Sequence, residues 1–245
     1  MLSQRTSLIA LAGAILTLSF SSSLAHGATV PADAKRISNE TTRSHWVNPN
    51  DRGVIRNAPD SDSGAVARLK LNTEDGLPNV YLVLREWTDE DNGDVWFQVR
   101  IPQRPNGKTG WVREESVGPL QRVTTQLIVN RKTLRATLLR KGKKIFSTRV
   151  GVGKASTPTP GGRFWIREKL VLGGGHGVYG PLAFGTAAYS DKLTDWPKGG
   201  VVGIHGTNQP GLIPGRPSHG CIRMRNKAIK RLARLMPIGT PLRIL

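Results

Sequence analysis

Short apolar runs bounded by turn-forming residues recur along most of the chain, and several of them have a period of two residues. Residues 79–87 place Val80, Leu82 and Leu84 on one face, and residues 133–139 alternate in the same way. These runs end at glycine, proline, asparagine or aspartate, as strands do. With 28 glycines, 16 prolines and 6% aromatic residues, the composition also fits strands and turns better than a helical bundle. The sequence therefore predicts a mainly β protein.

An amphipathic helix is predicted near the C-terminal end. Ile229, Leu232 and Met236 lie on one face at helical spacing. Asn226 is the expected N-cap and Pro237 the expected stop. Strands are predicted at residues 54–56, 79–87, 95–101, 110–112, 125–129, 133–139, 145–150, 164–166, 201–204 and 240–245.

Residues 1–25 have the pattern of a secretory signal peptide. The basic residue Arg5 precedes an apolar run over residues 8–20, and small residues stand at Ser23 and Ala25. The run is shorter than the about 20 residues of a membrane span, although an uncleaved anchor is the alternative. We therefore expect an exported protein in the periplasm or cell wall, with a loosely held linker at residues 26–43.

The formal net charge is +19, from 36 basic and 17 acidic residues. Such a charge attracts polyanions in general, including anionic wall polymers, lipid headgroups and nucleic acid. The charge is scattered, and the sequence has no helix-turn-helix, zinc-finger or aromatic RNA-binding motif. We therefore expect transient contact with anionic wall polymers and no nucleic-acid partner.

The chain contains one cysteine, Cys221. An exported protein with one cysteine cannot form an internal disulfide, and a lone thiol outside the cytoplasm is open to oxidation. The residue is therefore either buried and inert or retained for its reactivity, and composition alone does not choose between these alternatives.

The residues around Cys221 favour reactivity. A predicted strand over residues 201–204 leads into His205, and the loop over residues 208–217 returns the chain, in a hairpin-like way, so that Cys221 lies beside this histidine. Acyl transfer through a thiol needs a neighbouring imidazole and backbone N–H donors for the oxyanion. An adjacent imidazolium lowers the pKa of a thiol, so a thiolate is expected. The amides of Gly220 and Cys221 are the candidate oxyanion donors.

These motifs resemble the signature of the L,D-transpeptidase catalytic domain, which is a histidine, a spacer and then Ser/Thr-His-Gly-Cys. Here His205-Gly206-Thr207 precedes Ser218–Met224, which reads SHGCIRM. Thr157–Phe164 is similar to the family's Thr-Pro-x-Gly-x-Phe loop, and Tyr179-Gly180-Pro181 to its substrate-side segment. The resemblance covers Thr125–Leu245, roughly half the chain, and implies a C-terminal β-sandwich or barrel with one or two helices over residues 123–245.

The resemblance also implies the roles of single residues. Cys221 would be the nucleophile that attacks a peptidoglycan stem peptide, and His205 its base, with the imidazole oriented by the carbonyl of Gly206. Carbapenem-type inhibitors would then acylate the thiol. Ser218, His219, Gly220, Arg223 and Tyr179 would bind substrate or the oxyanion, or stabilise the loop. Gly173–Gly180 is the predicted lid, in which His176 either lines the cleft or is an exposed loop residue.

Residues 44–119 resemble bacterial SH3-like domains, which form small barrels. Short strands lie at close spacing there, and the stretch 96–100, a turn and Gly110-Trp111-Val112 resemble the end of such domains. SH3-like domains often bind wall peptides, whereas the alternative for Trp87, Trp96 and Trp111 is core packing. The ligand of this region is left open.

Four functions are compatible with these features. The first is transpeptidation, in which a thioester forms with release of a terminal D-amino acid and an amine acceptor resolves it. The second is an L,D-carboxypeptidase that uses water at the same site, the third a non-catalytic wall-binding protein, and the fourth a polyanion-binding protein. No cofactor is expected. No metal is expected either, because the Ser-His-Gly-Cys spacing places His219 and Cys221 too close for a relaxed zinc site.

Overall fold

The structure is a computed structural model, and it describes residues 28–173, 177–195 and 197–245. The predicted signal peptide and His176 lie outside these residues. The described part consists of two β-sheets, short 3-10 turns and one α-helix, so the predicted mainly β class is confirmed. No helix of the described ranges combines the length and the apolar character that a membrane crossing requires.

The N-terminal sheet has eight strands, all paired in antiparallel fashion. The strands are β1 Lys35–Arg36, β2 Ser44–Val47, β3 Val54–Arg56, β4 Ala65–Arg68, β5 Tyr81–Thr88, β6 Val95–Arg100, β7 Thr109–Arg113 and β8 Gln121–Val123. They follow the order β4-β3-β7-β6-β5-β2-β8, and β1 pairs with β5. That this region is an SH3-like domain stays a prediction.

The C-terminal sheet has ten strands in the order β11-β10-β9-β18-β13-β14-β15-β17-β12-β16. They are β9 Thr125–Asn130, β10 Arg135–Arg140, β11 Lys143–Arg149, β12 Gly151–Gly153, β13 Gly162–Val171, β14 Leu182–Tyr189, β15 Val201–His205, β16 Gly215–Ser218, β17 Ile222–Arg223 and β18 Pro241–Ile244. The pairs β9–β18, β15–β17 and β12–β16 are parallel. Short 3-10 turns lie at Glu114–Ser116, Pro197–Gly200 and Pro210–Leu212.

The expectation of a loose linker at residues 26–43 is wrong for its described part, which packs against the N-terminal sheet. Strand β1 pairs with β5, and the carbonyl of Thr29 accepts a hydrogen bond of 2.8 Å from the indole of Trp111. Glu40 is buried and forms a bidentate ion pair with Arg100, with distances of 2.8 and 2.9 Å. Paired backbone and a buried charge pair fasten this segment, and its polar composition did not reveal them.

Strand β5 and the residue before it join the two sheets, because alternate side chains enter different cores. Val80, Leu82 and Leu84 are buried with the side chains of the C-terminal sheet and its helix. Tyr81 and Val83 point the other way and are buried in the N-terminal core. The predicted apolar face of residues 79–87 is therefore confirmed, and it packs against the C-terminal region.

Buried polar contacts accompany this apolar junction. Arg167 in β13 is only 1% exposed, and its guanidinium donates to Glu74 at 2.9 Å and to the Asn79 side chain at 3.0 Å. The Tyr189 hydroxyl donates to the other oxygen of Glu74 at 2.6 Å. Because Glu74 comes from the N-terminal region, the charge of a fully buried arginine in the C-terminal sheet is compensated across the junction.

The helix α1 spans Asn226–Leu235, close to its predicted limits, and buries Ile229 and Leu232 against the C-terminal core. The predicted cap is wrong. Arg225 occupies the N-cap position without a side-chain cap bond, and the helix begins at Asn226 itself. The side chain of Asn226 has another partner, described below.

Candidate active site

Cys221 lies beside β15, immediately before the short strand β17. These strands are parallel, with Ile204 opposite Ile222 and His205 opposite Arg223. The expected hairpin-like return is therefore wrong, since residues 206–221 form a crossover that brings the chain back in the same direction. The N–H of Gly203 donates to Cys221 Sγ at 3.4 Å, and His205 follows two residues later on the same strand. The structure thus brings the predicted nucleophile and base together.

His205 is almost fully buried and has a defined orientation. Its Nδ1 lies 2.6 Å from the carbonyl oxygen of Gly206. A carbonyl can only accept a hydrogen bond, so Nδ1 carries the proton and the lone pair is on Nε2. The Tyr179 ring packs edge-on against the imidazole, with 4.8 Å between ring centroids. The Gly206 carbonyl and the Tyr179 ring thus contact the imidazole from two directions.

The electrostatics of the pair differ from the expected thiolate and imidazolium. Burial lowers the pKa of His205 to about 4, the Gly206 carbonyl opposes this, and Arg223 adds to it. Burial also raises the pKa of Cys221, against smaller opposite effects of the Gly203 amide and Arg223. Both shifts favour the uncharged forms, since charge is costly in a buried site. At neutral pH the site therefore holds a thiol next to a neutral imidazole that can accept its proton.

The loop before Cys221 is held by Ser218 and Thr159. The Ser218 hydroxyl donates to the carbonyl of Cys221 at 2.5 Å and accepts the Gly220 N–H at 3.1 Å. The Thr159 hydroxyl donates to the carbonyl of Gly220 at 2.7 Å. Gly220 has a φ of +123°, which other residues rarely adopt. Because the Gly220 amide already has a partner, it can bind an oxyanion only if its bond to Ser218 opens.

Two cavities meet at the catalytic pair, and Tyr179, Val201, His205 and Cys221 line both. The front cavity has a volume of about 220 Å³. It is further lined by Val178, Ser190, Leu193, Gly200, Val202, Ser218, His219 and Arg223. Arg223 is half-buried, and its guanidinium also lies 3.4 Å from the side-chain oxygen of Gln209. The predicted residues other than Gly206 and Gly220 thus line this cavity, and Arg223 makes it cationic.

The second cavity, called the rear cavity, has a volume of about 320 Å³ and shares the pair as part of its lining. Its lining is apolar along Leu170, Leu172, Ala183 and Phe184, with Gly185 and Gly203, and charged at Asp75, Glu168 and Lys198. Asp75 comes from the N-terminal region and forms an ion pair with Lys198. No local motif in the sequence marks these charged residues.

Asn226 is a further site residue whose role the sequence analysis missed. Its side-chain oxygen accepts the N–H of Thr207 at 2.9 Å. The same oxygen lies so close to Gly206 and Gly180 that a side chain at either glycine would collide with it. Asn226 therefore fastens the turn that carries the Gly206 carbonyl, and so acts on His205 indirectly. In the described ranges, no group of three or more His, Cys, Asp or Glu side chains is arranged to hold a metal ion.

Comparison with known proteins identifies the C-terminal region. A family model of the YkuD L,D-transpeptidase catalytic domain matches residues 124–244. YqjB of Bacillus subtilis, an L,D-transpeptidase by name, is 34% identical in an alignment of 125 positions that covers 46% of this chain and 67% of that protein. The chain belongs to the L,D-transpeptidase family. Another Bacillus subtilis protein of this name, YkuD, is 36% identical over 113 residues. That match covers 46% of the chain and 59% of the length of YkuD.

Solved structures of L,D-transpeptidases also resemble the chain. The Ldtfm–avibactam carbamoyl enzyme is 28% identical, with a TM-score of 0.38, and the similarity covers 49% of this chain and 48% of that one. A mutant L,D-transpeptidase of Enterococcus faecium is 25% identical with a TM-score of 0.39, over 49% of each chain. These similarities concern about half of the chain.

Proposed function

We propose that this L,D-transpeptidase family member is an exported enzyme that transfers peptidoglycan stem peptides through a thioester on Cys221. The observation that carries the proposal is the catalytic pair. A thiol and a neutral imidazole lie together where two cavities meet, and the lone pair of the imidazole is on Nε2. This arrangement suits a reaction in which one substrate acylates the sulfur and a second removes the acyl group.

In the first half-reaction, Cys221 passes its proton to His205 Nε2 as the sulfur attacks the carbonyl of the third residue of a donor stem peptide. That residue is of the diaminopimelate type. The C–N bond to the terminal D-amino acid breaks, and His205 returns the proton to the leaving amine. The carboxylate of the leaving residue matches the charge of Arg223 in the front cavity. The Cys221 amide is the oxyanion donor that we favour, because the Gly220 amide is engaged by Ser218.

In the second half-reaction an amine acceptor attacks the thioester, which gives a crosslink between two stem peptides or a covalently attached molecule. Water as acceptor would give a carboxypeptidase instead. The predicted signal peptide supports export to the periplasm or cell wall, and the net charge of +19 supports transient contact with anionic wall polymers.

The test is incubation of the pure protein with a carbapenem, followed by intact mass spectrometry. We expect one covalent adduct on Cys221 and none on Cys221→Ala, with unchanged thermal unfolding of the variant. Muropeptides incubated with the protein should yield dimers, whereas shortened monomers alone would indicate hydrolysis. An unmodified thiol in the wild type, or wall binding and phenotype that survive Cys221→Ala unchanged, would refute the catalytic function.

A further inference from the structure

The peptide unit that joins Gly220 to Cys221 has a partner on its carbonyl side and none on its N–H side. The carbonyl of Gly220 accepts the hydroxyl of Thr159 at 2.7 Å. The hydrogen bonds among the described residues include none that the Cys221 N–H donates. Because Cys221 lines both cavities, a carbonyl group that reacts with its sulfur lies next to this amide. The Cys221 N–H is thus available to an oxyanion.

A hydrogen bond at one end of a peptide unit determines the direction of the other end. The unit is planar, and in the trans form, which the Gly220–Cys221 unit has, the C=O and the N–H point in opposite directions. Glycine has no Cβ that would restrict the rotation of this unit. The bond from Thr159 therefore fixes the plane of the unit and, through it, the direction of the Cys221 N–H.

The Thr159 hydroxyl has a defined direction because it accepts one hydrogen bond and donates another. The N–H of Gly153 donates to it at 2.9 Å, and the side chain of Thr159 is buried. Gly153, Thr159 and the Gly220–Cys221 unit thus form a chain of donors that ends at the Cys221 N–H. Each bond in such a chain polarises the next, so the last N–H is a stronger donor than an isolated amide.

The loop that carries Thr159 is anchored to the strands beside the nucleophile. The carbonyl of Thr159 accepts a hydrogen bond of 2.8 Å from Arg131. A side chain at Gly153 in β12 would collide with the backbone of residues 157–159, so this loop lies directly on the strand. Strand β12 pairs with β16, whose last residue, Ser218, donates to the carbonyl of Cys221. Thr159 is therefore held in a fixed position relative to Cys221.

We propose that Thr159 is a positioning residue, which aims the Cys221 N–H at the oxyanion through the carbonyl of Gly220. It lines neither cavity, so it acts through Cys221 and not on the substrate. Its effect arises when the carbonyl oxygen of the substrate becomes negatively charged, during formation and breakdown of the thioester. The inference rests on the proposed function, in which the sulfur of Cys221 attacks a carbonyl carbon.

The experiment compares two reactions of Cys221, of which only one forms an oxyanion. A carbapenem acylates the sulfur through a tetrahedral intermediate with a negatively charged oxygen. Iodoacetamide alkylates it instead, since the sulfur displaces iodide from a CH₂ carbon and the thiol proton leaves to solvent. Both rates are measured by intact mass spectrometry on the full chain.

Thr159→Val keeps the approximate shape of the side chain and removes the hydroxyl. We expect the acylation rate at saturating carbapenem to fall by about tenfold, which is less than the about 10²–10³-fold effect of losing a whole oxyanion donor. The carbapenem concentration that gives half of the maximal rate should not change, and neither should the rate of alkylation. A residue that only supports the fold would slow both reactions alike.

Two further variants test the hydroxyl itself. Thr159→Ser keeps it and should restore acylation to nearly the wild-type rate. The matched control is Thr157→Val in the same loop, because the hydroxyl of Thr157 is buried without a hydrogen-bond partner in the described part of the chain. This control should acylate at the wild-type rate. Should Thr159→Val not fold, Thr159→Ala takes its place, with the same expected difference between the two reactions.

Three outcomes would overturn the inference alone. They are an equal loss of acylation and alkylation in Thr159→Val, no loss of either, and a serine variant that acylates as slowly as the valine variant. A wild-type protein that iodoacetamide alkylates but that no carbapenem acylates would overturn the proposed function, on which the inference rests.

Discussion

The two cavities that meet at Cys221 differ in the part of the chain that builds them. The described lining of the front cavity lies within residues 178–223, inside the segment that matches the family model. The rear cavity also includes Asp75, which belongs to the N-terminal region. The reactive groups are thus encoded within one stretch of sequence, whereas the lining of the rear cavity depends on a contact between distant parts of the chain, Asp75 with Lys198.

The junction of the two sheets also affects the stability of the protein, because residues of the N-terminal region pack into the C-terminal core. Three apolar side chains, Val80, Leu82 and Leu84, enter the core of the C-terminal region, and Glu74 compensates the charge of buried Arg167. Without the N-terminal region, that core would be exposed and the arginine would lose its ionic partner. The N-terminal region is therefore a structural part of the catalytic unit, whether or not it also binds wall peptides.

His205 lines both cavities, so its substitution should impair both half-reactions and gives the largest expected effect. His205→Ala should slow carbapenem acylation of Cys221 by about 10³-fold, the usual contribution of a general base. The rate is measured as adduct formed against time by intact mass spectrometry. His45→Ala, far along the chain in β2, is the control and should acylate at the wild-type rate. Equal rates for His205→Ala and the wild type would remove His205 from the mechanism.

Glu74 tests whether the junction is structural. Glu74→Ala should destabilise the protein by about 3 kcal/mol, because it leaves the Arg167 charge buried without its ionic partner. In thermal unfolding this is a fall in Tm of roughly 2–4 °C per kcal/mol for a chain of this size. The control, Glu115→Ala, breaks an ion pair with Arg113 at the surface and should cost less than about 1 kcal/mol. Equal Tm values for the two variants would mean that the ion pair of Glu74 with Arg167 does not stabilise the junction.

The sequence predicted which reactive residues lie together better than it predicted their surroundings. The motif predicted that Cys221 lies beside His205 and Gly206, and the structure has them together. These residues are at most 16 positions apart in the chain, so a local sequence pattern was enough to predict their proximity. Strand β14 was not predicted, although it lies in the middle of the C-terminal sheet between β13 and β15. Its three alanines and its glycine lack the β-branched or aromatic side chains that mark most strands, and its burial on both faces leaves no alternation.

The contacts that sequence reasoning missed are formed between residues far apart in the chain. The partner of Glu40 is Arg100, that of Asp75 is Lys198, and neither pair belongs to a local motif. Asparagine is a common helix N-cap, so the sequence predicted that the Asn226 side chain bonds to the first turn of the helix. In the structure this side chain accepts the N–H of Thr207 instead. Side-chain partners of this kind become visible only when the sheets are assembled.

Asn226 acts within the C-terminal region alone, because Thr207, the partner of its side chain, lies in the same region. Asn226→Ala removes the acceptor of the Thr207 N–H and should cost about 1–2 kcal/mol of stability. Acylation by a carbapenem, followed by intact mass spectrometry, should also slow, since the Gly206 carbonyl would hold His205 less firmly. Asn92→Ala removes a similar bond to the N–H of Asp94 in an exposed turn and is the matched control. Acylation of Asn226→Ala at the wild-type rate would show that the orientation of His205 does not depend on Asn226.

The pH dependence of acylation tests the protonation state of the catalytic pair, His205 and Cys221, and its expected effect is the smallest. The pKa of His205 is about 4, below its ordinary value, because burial disfavours the charged ring. The neutral base is therefore present above this pKa and lost as pH falls through it, so acylation at pH 5.5 should stay within about twofold of its rate at pH 7. With a histidine of ordinary pKa, the acylation rate would fall by about tenfold over the same interval.

The same depressed pKa of His205 makes the folded state less stable as pH decreases from about 6.5 towards 4, since the unfolded chain binds the proton more readily. Rates measured from pH 4 to pH 8 in one buffer system decide the point, and an acid limb centred near pH 6.5 would place His205 in contact with water instead of in a buried pair with the thiol.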